Sequence, residues 1–420
     1  MRGVLLFILL TYCFIYGIFD REIGGFQYGL LIEGLILVSL VAVLIKTPPK
    51  EYTSINHDLL YLLLLWFVIS VLEVLNPGAS FMGWVSEIRS TALYPLLMVM
   101  LGLLIFRQNR HLDVFLVVII GLSTIASLNG IKQLYFGPSS GEQAFLNEGG
   151  AITHILFGRL RVFSFYSDAG QFGASQAQLG LISLILGFGP FRRWIKVVFL
   201  CCSVLMLYGM LISGTRGALF ALVVGGFVAL ILSKNLKVLL LGGLIGLLFL
   251  SFLKFTYIGN SNYQIYRLRS AVNPDDPSLN VRFNTQKLLR EYMSTRPFGG
   301  GLGVTGHNGI LYNSDKFLST VPPDSYFVKV WAMYGIVGFT VWLSIMLYIF
   351  GKCCGIVWRL ENKGVKIKMI ALTSGFAGIL FCSYGNEVIN SMPSSIVVYL
   401  SWVFIYKSPE LEKKEEGLIF

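Results

Sequence analysis

The chain has 420 residues, of which 55% are hydrophobic and 13% charged, with a formal net charge of +11. Soluble domains carry about 25% charged residues, so an aqueous globular fold is excluded. No aromatic-basic pattern accompanies the positive excess, and no nucleic-acid partner is expected; the excess fits cytoplasmic anchoring together with an anionic substrate.

Backbone groups in hydrocarbon must be satisfied within their own segment, so continuous apolar runs of about 17–25 residues predict helices rather than a barrel. Met1-Arg2 and the apolar run behind them are read as an uncleaved first helix, because no small-residue cleavage site follows. About twelve spanning helices are expected. Their cores lie at 3–19, 24–45, 58–75, 91–106, 112–128, 174–190, 197–212, 218–232, 238–253, 325–350, 369–385 and 394–406. The fold class is an all-α polytopic membrane protein, residues 1–420 forming one integral membrane domain. Two long extracytoplasmic loops span 129–173 and 254–323.

Lysines and arginines in short loops set the orientation. Lys46/Lys50, Arg107/Arg110, Arg192/Arg193/Lys196, Lys234/Lys237 and the run Lys352 to Lys368 alternate in register and can all be cytoplasmic, with both termini. The C-terminal tail, Lys407 to Phe420, reads as a solvated end. The six cysteines avoid the long loops, so no disulfide is expected there, and the four histidines lack metal-ligand spacing.

In chain order, Glu33 is an intramembrane acid, either functional or hydrogen-bonded between helices. The stretch Arg161 to Gly173 is polar and glycine-bearing, and sits at the mouth of a helix. Arg159 precedes it, and His154 is a weaker candidate. Arg216 lies in the short turn Ser213–Gly217, where a cation needs a reason. In the second loop a short helix is predicted over Asn280–Met293, with Asn280 as N-cap. Arg282, Gln286 and Arg290 share one face of it; Val281, Leu288 and Tyr292 share another. Gly299–Gly303 reads as a flexible turn.

Arginine offers a fixed charge and a fork of donors that fits phosphate oxygens. Arg161, Arg216 and Arg282 around one cavity would suit a lipid-borne diphosphate, whereas Arg267, Arg269, Arg290 and Arg296 read as surface residues. Asp324, behind Pro322-Pro323, is either a general base or a cap of the tenth helix. Lys329 is roughly 7 Å deeper along the helix and either snorkels or faces the cavity. His307 is the second loop's histidine and the alternative base, and Asn386 and Glu387 could line the same cavity.

Taken together these patches resemble the O-antigen ligase and O-antigen polymerase family. Arg161 to Gly173 is similar to its arginine-led segment, and Ser213-Gly214-Thr215-Arg216-Gly217-Ala218 to its Ser-x-Ser/Thr-Arg-Gly-Ala turn. Asn280-Val281-Arg282-Phe283 and Arg296-Pro297-Phe298-Gly299-Gly300-Gly301-Leu302-Gly303 resemble its second-loop motif. Asp324 to Gly338 looks like its His/Asp-Asn/Ser stretch ending in Gly-Ile-x-Gly. The resemblance covers residues 155 to 340 and implies an inverting, metal-independent membrane glycosyltransferase of GT-C-like fold, with no cofactor. It implies a donor glycan on undecaprenyl diphosphate, a glycan or lipid-linked acceptor, contact with membrane lipid, and a chain-length regulator as a further partner. The setting would be the bacterial inner membrane, with the active site facing the periplasm. Arg161, Arg216 and Arg282 become diphosphate ligands, with Arg159 and Lys329 as lesser members, and Asp324 stands where the ligase branch has a histidine. That departure favours a polymerase over a ligase. A transporter or flippase fits less well, because no internal repeat is visible and the polar clusters crowd one face.

Overall fold

The computed structural model describes residues 2–24, 28–273 and 277–413. The helices, in chain order, begin with α1 (Arg2–Glu22), α2 (Gly29–Lys46), α3 (Asp58–Leu72), α4 (Phe81–Ile88), α5 (Tyr94–Ile105) and α6 (Asn109–Phe136). Next come α7 (Ser140–Phe145), α8 (Ala151–His154), α9 (Ala169–Gly187), α10 (Arg193–Ile212), α11 (Arg216–Leu232) and α12 (Leu236–Phe255). The series closes with α13 (Tyr263–Ser270), α14 (Pro277–Met293), α15 (Gly306–Tyr312), α16 (Tyr326–Arg359), α17 (Lys363–Cys382) and α18 (Ser394–Lys413). Two short antiparallel strands, β1 (Ile155–Leu156) and β2 (Arg159–Leu160), form a hairpin.

Every expected core overlaps a helix, although residues 25–27 of the second lie outside the described residues and the sixth and eleventh run past the ends of their helices. Among the described residues, nine helices are long and apolar enough to cross a membrane, and α11 is a shorter apolar one. The helices α9 and α18 fall outside that group. Both are almost wholly buried in the bundle, so protein rather than lipid surrounds them. The α9 core accommodates Gln176, which accepts from the Ser127 hydroxyl at 2.6 Å and donates to Ser123 Oγ at 3.0 Å. Small residues let backbones approach around it, as expected where lipid supplies no hydrophobic drive. A Cβ at Gly225 would lie 2.6 Å from Ser374 O, and one at Gly378 2.5 Å from Ala221 O. By contrast α12 is only 6% buried over its apolar window and faces outward nearly all round.

Contacts sort the loops onto two ends as the charge pattern requires. At one end Lys352 pairs with Asp58, the Lys407 ammonium donates to Leu103 O at 2.7 Å, and Asn109 Nδ2 donates to Leu411 O at 3.1 Å. Lys407 is buried and α18 runs to Lys413, so the expected solvated end does not start at Lys407; residues 414–420 lie outside the described residues. The two long loops meet at the other end.

Those loops are more ordered than the sequence predicts. The first shrinks because α6 continues to Phe136, and α7, α8 and the hairpin fill the rest. In the second, α14 begins at Pro277, which puts Asn280 inside the first turn rather than at the cap. Leu289 and Met293 are the buried side of α14, while Leu288 is exposed. The glycine run is not a flexible turn. The Gly300 and Gly301 amides donate to Ala332 O and Met333 O, both at 2.9 Å, and the Val337 amide donates to Pro297 O at 3.2 Å. Gly335, at φ +68° and ψ −171°, breaks α16 to receive the run, and any side chain there would strike Pro297 and Gly299.

Candidate functional site

The segment before α9 is held from three sides. Gln133 accepts from the amide of Ser164 at 2.8 Å and donates to its carbonyl at 3.2 Å. Arg21, at the end of α1, donates to the carbonyls of Ser164 (2.8 Å), Tyr166 and Ser167 (3.2 Å), with its guanidinium 4.5 Å from the Phe163 ring centre. Asp168 caps α9 by accepting from the Gln171 amide at 2.9 Å. His154 is buried; its Nδ1 lies 2.9 Å from Gly150 O, and its Nε2 accepts from the Ala169 amide at 3.2 Å. That pair of contacts fits the neutral tautomer with the proton on Nδ1, and burial lowers the imidazole pKa below its ordinary 6.5.

This scaffold sets Arg161 against the turn between α10 and α11. Arg161 donates to Ser213 O (3.3 Å), Thr215 Oγ1 (3.3 Å) and Thr153 O (3.0 Å). Thr215 in turn donates to Ala169 O at 2.8 Å. Gly214 takes φ +59°, which turns the chain here and leaves room for the side chains above it. Arg267, from α13, donates to Gly214 O at 3.2 Å. Arg216 is the first residue of α11 and is half-buried. Burial, and then the neighbouring Arg267 guanidinium, pull the Arg161 pKa down, while Asp168 opposes them and Arg216 adds to them.

The loop between α17 and α18 joins this cluster to the second. A Cβ on Gly217 would lie 2.6 Å from Asn386 Nδ2, and one on Gly170 3.7 Å from Asn386 Oδ1. One residue earlier, Gly385 O accepts from Arg282 at 3.0 Å. The Arg282 guanidinium lies 3.9 Å from Asp324 Oδ2. Asp324 is not the cap of α16: Ser325 holds that position, its hydroxyl accepting from the Val328 amide at 3.4 Å. Asp324 is instead half exposed beside Arg282. Thus the segments of Arg161, Arg216 and Arg282 meet through Asn386, with Asp324 at the edge.

The remaining candidates fall elsewhere. Lys329 is buried between two carboxylates, 3.0 Å from Glu87 and 2.9 Å from Glu387. Glu87 also accepts from Asn308 at 2.7 Å and Thr91 at 3.2 Å. His307 is exposed on the first turn of α15; its neighbour Gly306 borders this cluster, a Cβ there lying 3.9 Å from Glu387. Arg159 is exposed over the Tyr263 ring, 5.5 Å from its centre. Arg290 and Arg296 are exposed, as expected. Arg269 is not: it is buried, donating to Ile258 O at 2.7 Å and Thr256 Oγ1 at 3.0 Å. Glu33 accepts from Arg89 and from Tyr94, both at 2.7 Å, an interhelical bridge.

Sequence reasoning missed Glu87, Arg89 and Arg21 and underrated Arg267. The first two were hidden because the fourth span was started at residue 91, whereas its helix begins at Phe81. Two charges immediately before an apolar run were the available signal.

Residues 201–343 match a family model described as O-Antigen ligase. The match supports the resemblance drawn from the motifs and takes in Arg216, Arg267, Arg282, Asp324 and Lys329. No curated protein matches the chain.

Proposed function

We propose that this multi-pass membrane protein, with its O-antigen ligase domain, is a polysaccharide polymerase of the bacterial inner membrane. It transfers a glycan from undecaprenyl diphosphate to the end of another lipid-linked repeat unit at the periplasmic face. The observation that carries the reading is the meeting of the Arg161, Arg216 and Arg282 segments through Asn386 at one end of the bundle. The opposite end holds Lys46, Arg107, Arg192 and Lys234, which supports assigning it to the cytoplasm.

In the proposed reaction an acceptor hydroxyl attacks the anomeric carbon of the donor. The bond from that carbon to the diphosphate oxygen breaks with inversion, and the oxygen keeps the electron pair. Arg161, Arg216 and Arg282 are fixed donors aimed at the charge that develops on the leaving diphosphate. Asp324 takes the proton of the attacking hydroxyl. Its carboxylate, 3.9 Å from Arg282 and half exposed, supports counting it with that cluster. Lys329 is left out of the diphosphate set, because two carboxylates already engage its charge. His307 is the alternative base and Arg159 an outlying contact.

A ligase that transfers finished glycan to lipid A core is the second reading, favoured by the description of the matching family model. A deletion strain separates the two. Chains of a single repeat unit on the acceptor indicate the polymerase; an unsubstituted core with long lipid-linked chains indicates the ligase. Normal glycan on every acceptor would leave neither, whereas loss of all glycan from the outer face would reopen the transporter reading.

A further inference from the structure

We propose that the cavity between α1, α6 and α7 binds a sugar ring of the acceptor glycan. The inference rests on the polymerase reading above and assigns that reaction's second substrate to side chains the mechanism has not used. The cavity holds about 260 Å³. Pockets for drug-sized ligands run from about 300 to 1,000 Å³, so a single ring fits and a folded oligosaccharide does not. Ile18, Arg21 and Glu22 line it from the last turns of α1, and Ile125, Asn129 and Lys132 from one face of α6. The capping box of α7, Ser139 with Glu142, and the Phe165 side chain complete the wall.

The lining is balanced in charge, with Arg21 and Lys132 against Glu22 and Glu142. Lys132 Nζ lies 3.8 Å from Glu142 Oε2 and its side chain stays 44% exposed. Glu142 Oε2 accepts from the Ser139 amide at 2.8 Å, and Glu22 Oε2 from the Gly141 amide at 3.3 Å, so both carboxylates are held in place. A carboxylate has about four lone-pair sites, and fixed ones keep capacity for ligand hydroxyls. The Asn129 amide is fixed as well, donating to Ser164 Oγ at 3.1 Å. A second diphosphate would meet two acids here. A neutral ligand rich in hydroxyls finds both donors and acceptors, and the C–H face of its ring finds Ile18, Ile125 and Phe165.

The cavity shares a wall with the donor site. Arg21 holds the carbonyls of Ser164 and Ser167 at 2.8 and 3.2 Å, and a Cβ on Gly17 would strike Phe165 O, so α1 packs directly on the segment that carries Arg161. Three residues before Phe165, the Val162 amide donates to Ile212 O at 3.3 Å, the carbonyl at the end of α10. Three residues span at most about 11 Å when fully extended, so Phe165 stands no farther than that from the residue that touches α10. The turn bearing Arg216 begins with the next residue of α10's chain, Ser213. A glycan seated in the cavity by one ring can extend its neighbouring ring toward the donor's anomeric carbon.

The test uses the full-length protein reconstituted in lipid nanodiscs, with the lipid-linked repeat unit from a deletion strain as substrate. Two inhibitors probe it: the free repeat-unit oligosaccharide, released from its lipid by mild acid, and inorganic pyrophosphate. The oligosaccharide should inhibit the wild type. Lys132→Ala, which removes a charged donor, and Ile125→Trp, which fills the cavity, should each weaken that inhibition at least about tenfold. Both should leave inhibition by pyrophosphate unchanged, which also shows that the variants are folded. Lys132→Arg should keep more of the oligosaccharide inhibition than Lys132→Ala. A wild type indifferent to the oligosaccharide, or wild-type inhibition in both cavity variants, would overturn the proposal. Equal loss of both inhibitions would overturn it too, leaving the cavity as a support for the Arg161 segment. If Arg216→Ala were fully active, the donor-site reading itself would fail; if that variant were inactive while the cavity variants behaved as wild type, this inference alone would.

Discussion

Two charged clusters lie at the same end of the bundle and are built on opposite principles. Around Lys329 a buried ammonium is enclosed by Glu87 and Glu387, with Asn308 and Thr91 completing the hydrogen bonds. Around Gly214 guanidinium groups gather with Asp168 as the neighbouring acid. The first resembles a satisfied ion-pair network, for which breaking one partner is costly. The second turns guanidinium groups toward the backbone carbonyls of one short turn. The kind of acceptor, carboxylate in one and backbone carbonyl in the other, separates the two clusters more than burial does.

The largest effect expected from that contrast is on Arg216. Its replacement by Ala should reduce polymer formation by about 10²–10³-fold with the protein still in the membrane; glycan chains of normal length on gels would remove it from the site. Asp324→Asn should cut turnover by about 10²-fold while donor KM changes little. A matching loss in KM would make Asp324 a holder of Arg282 instead of a base. Lys329→Met should act on stability, because it strands Glu87 and Glu387 without their cation. A loss of about 3–5 kcal/mol is expected, read as a lower thermal midpoint in detergent. The double change Lys329→Met with Glu387→Gln should recover part of it, and no recovery would mean that the two carboxylates are not the reason for the loss.

A smaller effect concerns pH. His154 folds neutral with its pKa lowered, so its stabilisation is complete above pH 6.5 and is lost as pH falls through the lowered folded value. Protonation removes the acceptor for the Ala169 amide, so activity should decline on the acid side and His154→Gln should flatten that decline. The least effect is expected at Arg159, exposed over Tyr263; Arg159→Ala should change activity only a few-fold, in keeping with an exposed cation–π contact of about 0.5–1 kcal/mol.

The spans and the arginine segments were legible because both have local signatures. Hydropathy marks a helix within its own length, and Ser-Gly-Thr-Arg-Gly is a short motif. Charge compensation is not local. Glu87 and Glu387 reach Lys329 from α4 and from the loop after α17, and no spacing along the chain announces that. For the same reason a surface role for Arg267 and Arg269 was the natural reading of the sequence. One is buried against α12 and the other lies on a turn contributed by α10 and α11. The Asp324 cap failed on a one-residue shift, since Ser325 has the extended backbone that a cap requires.

The joint between Pro297–Gly303 and the break at Gly335 has a consequence for how the gene can vary. At Gly299 and Gly335 the atoms that a side chain would strike are backbone of the other stretch, so bulk added on one side cannot be absorbed by any substitution on its counterpart. The two glycines amount to one requirement written in two places, and losing either one spoils the fit of both.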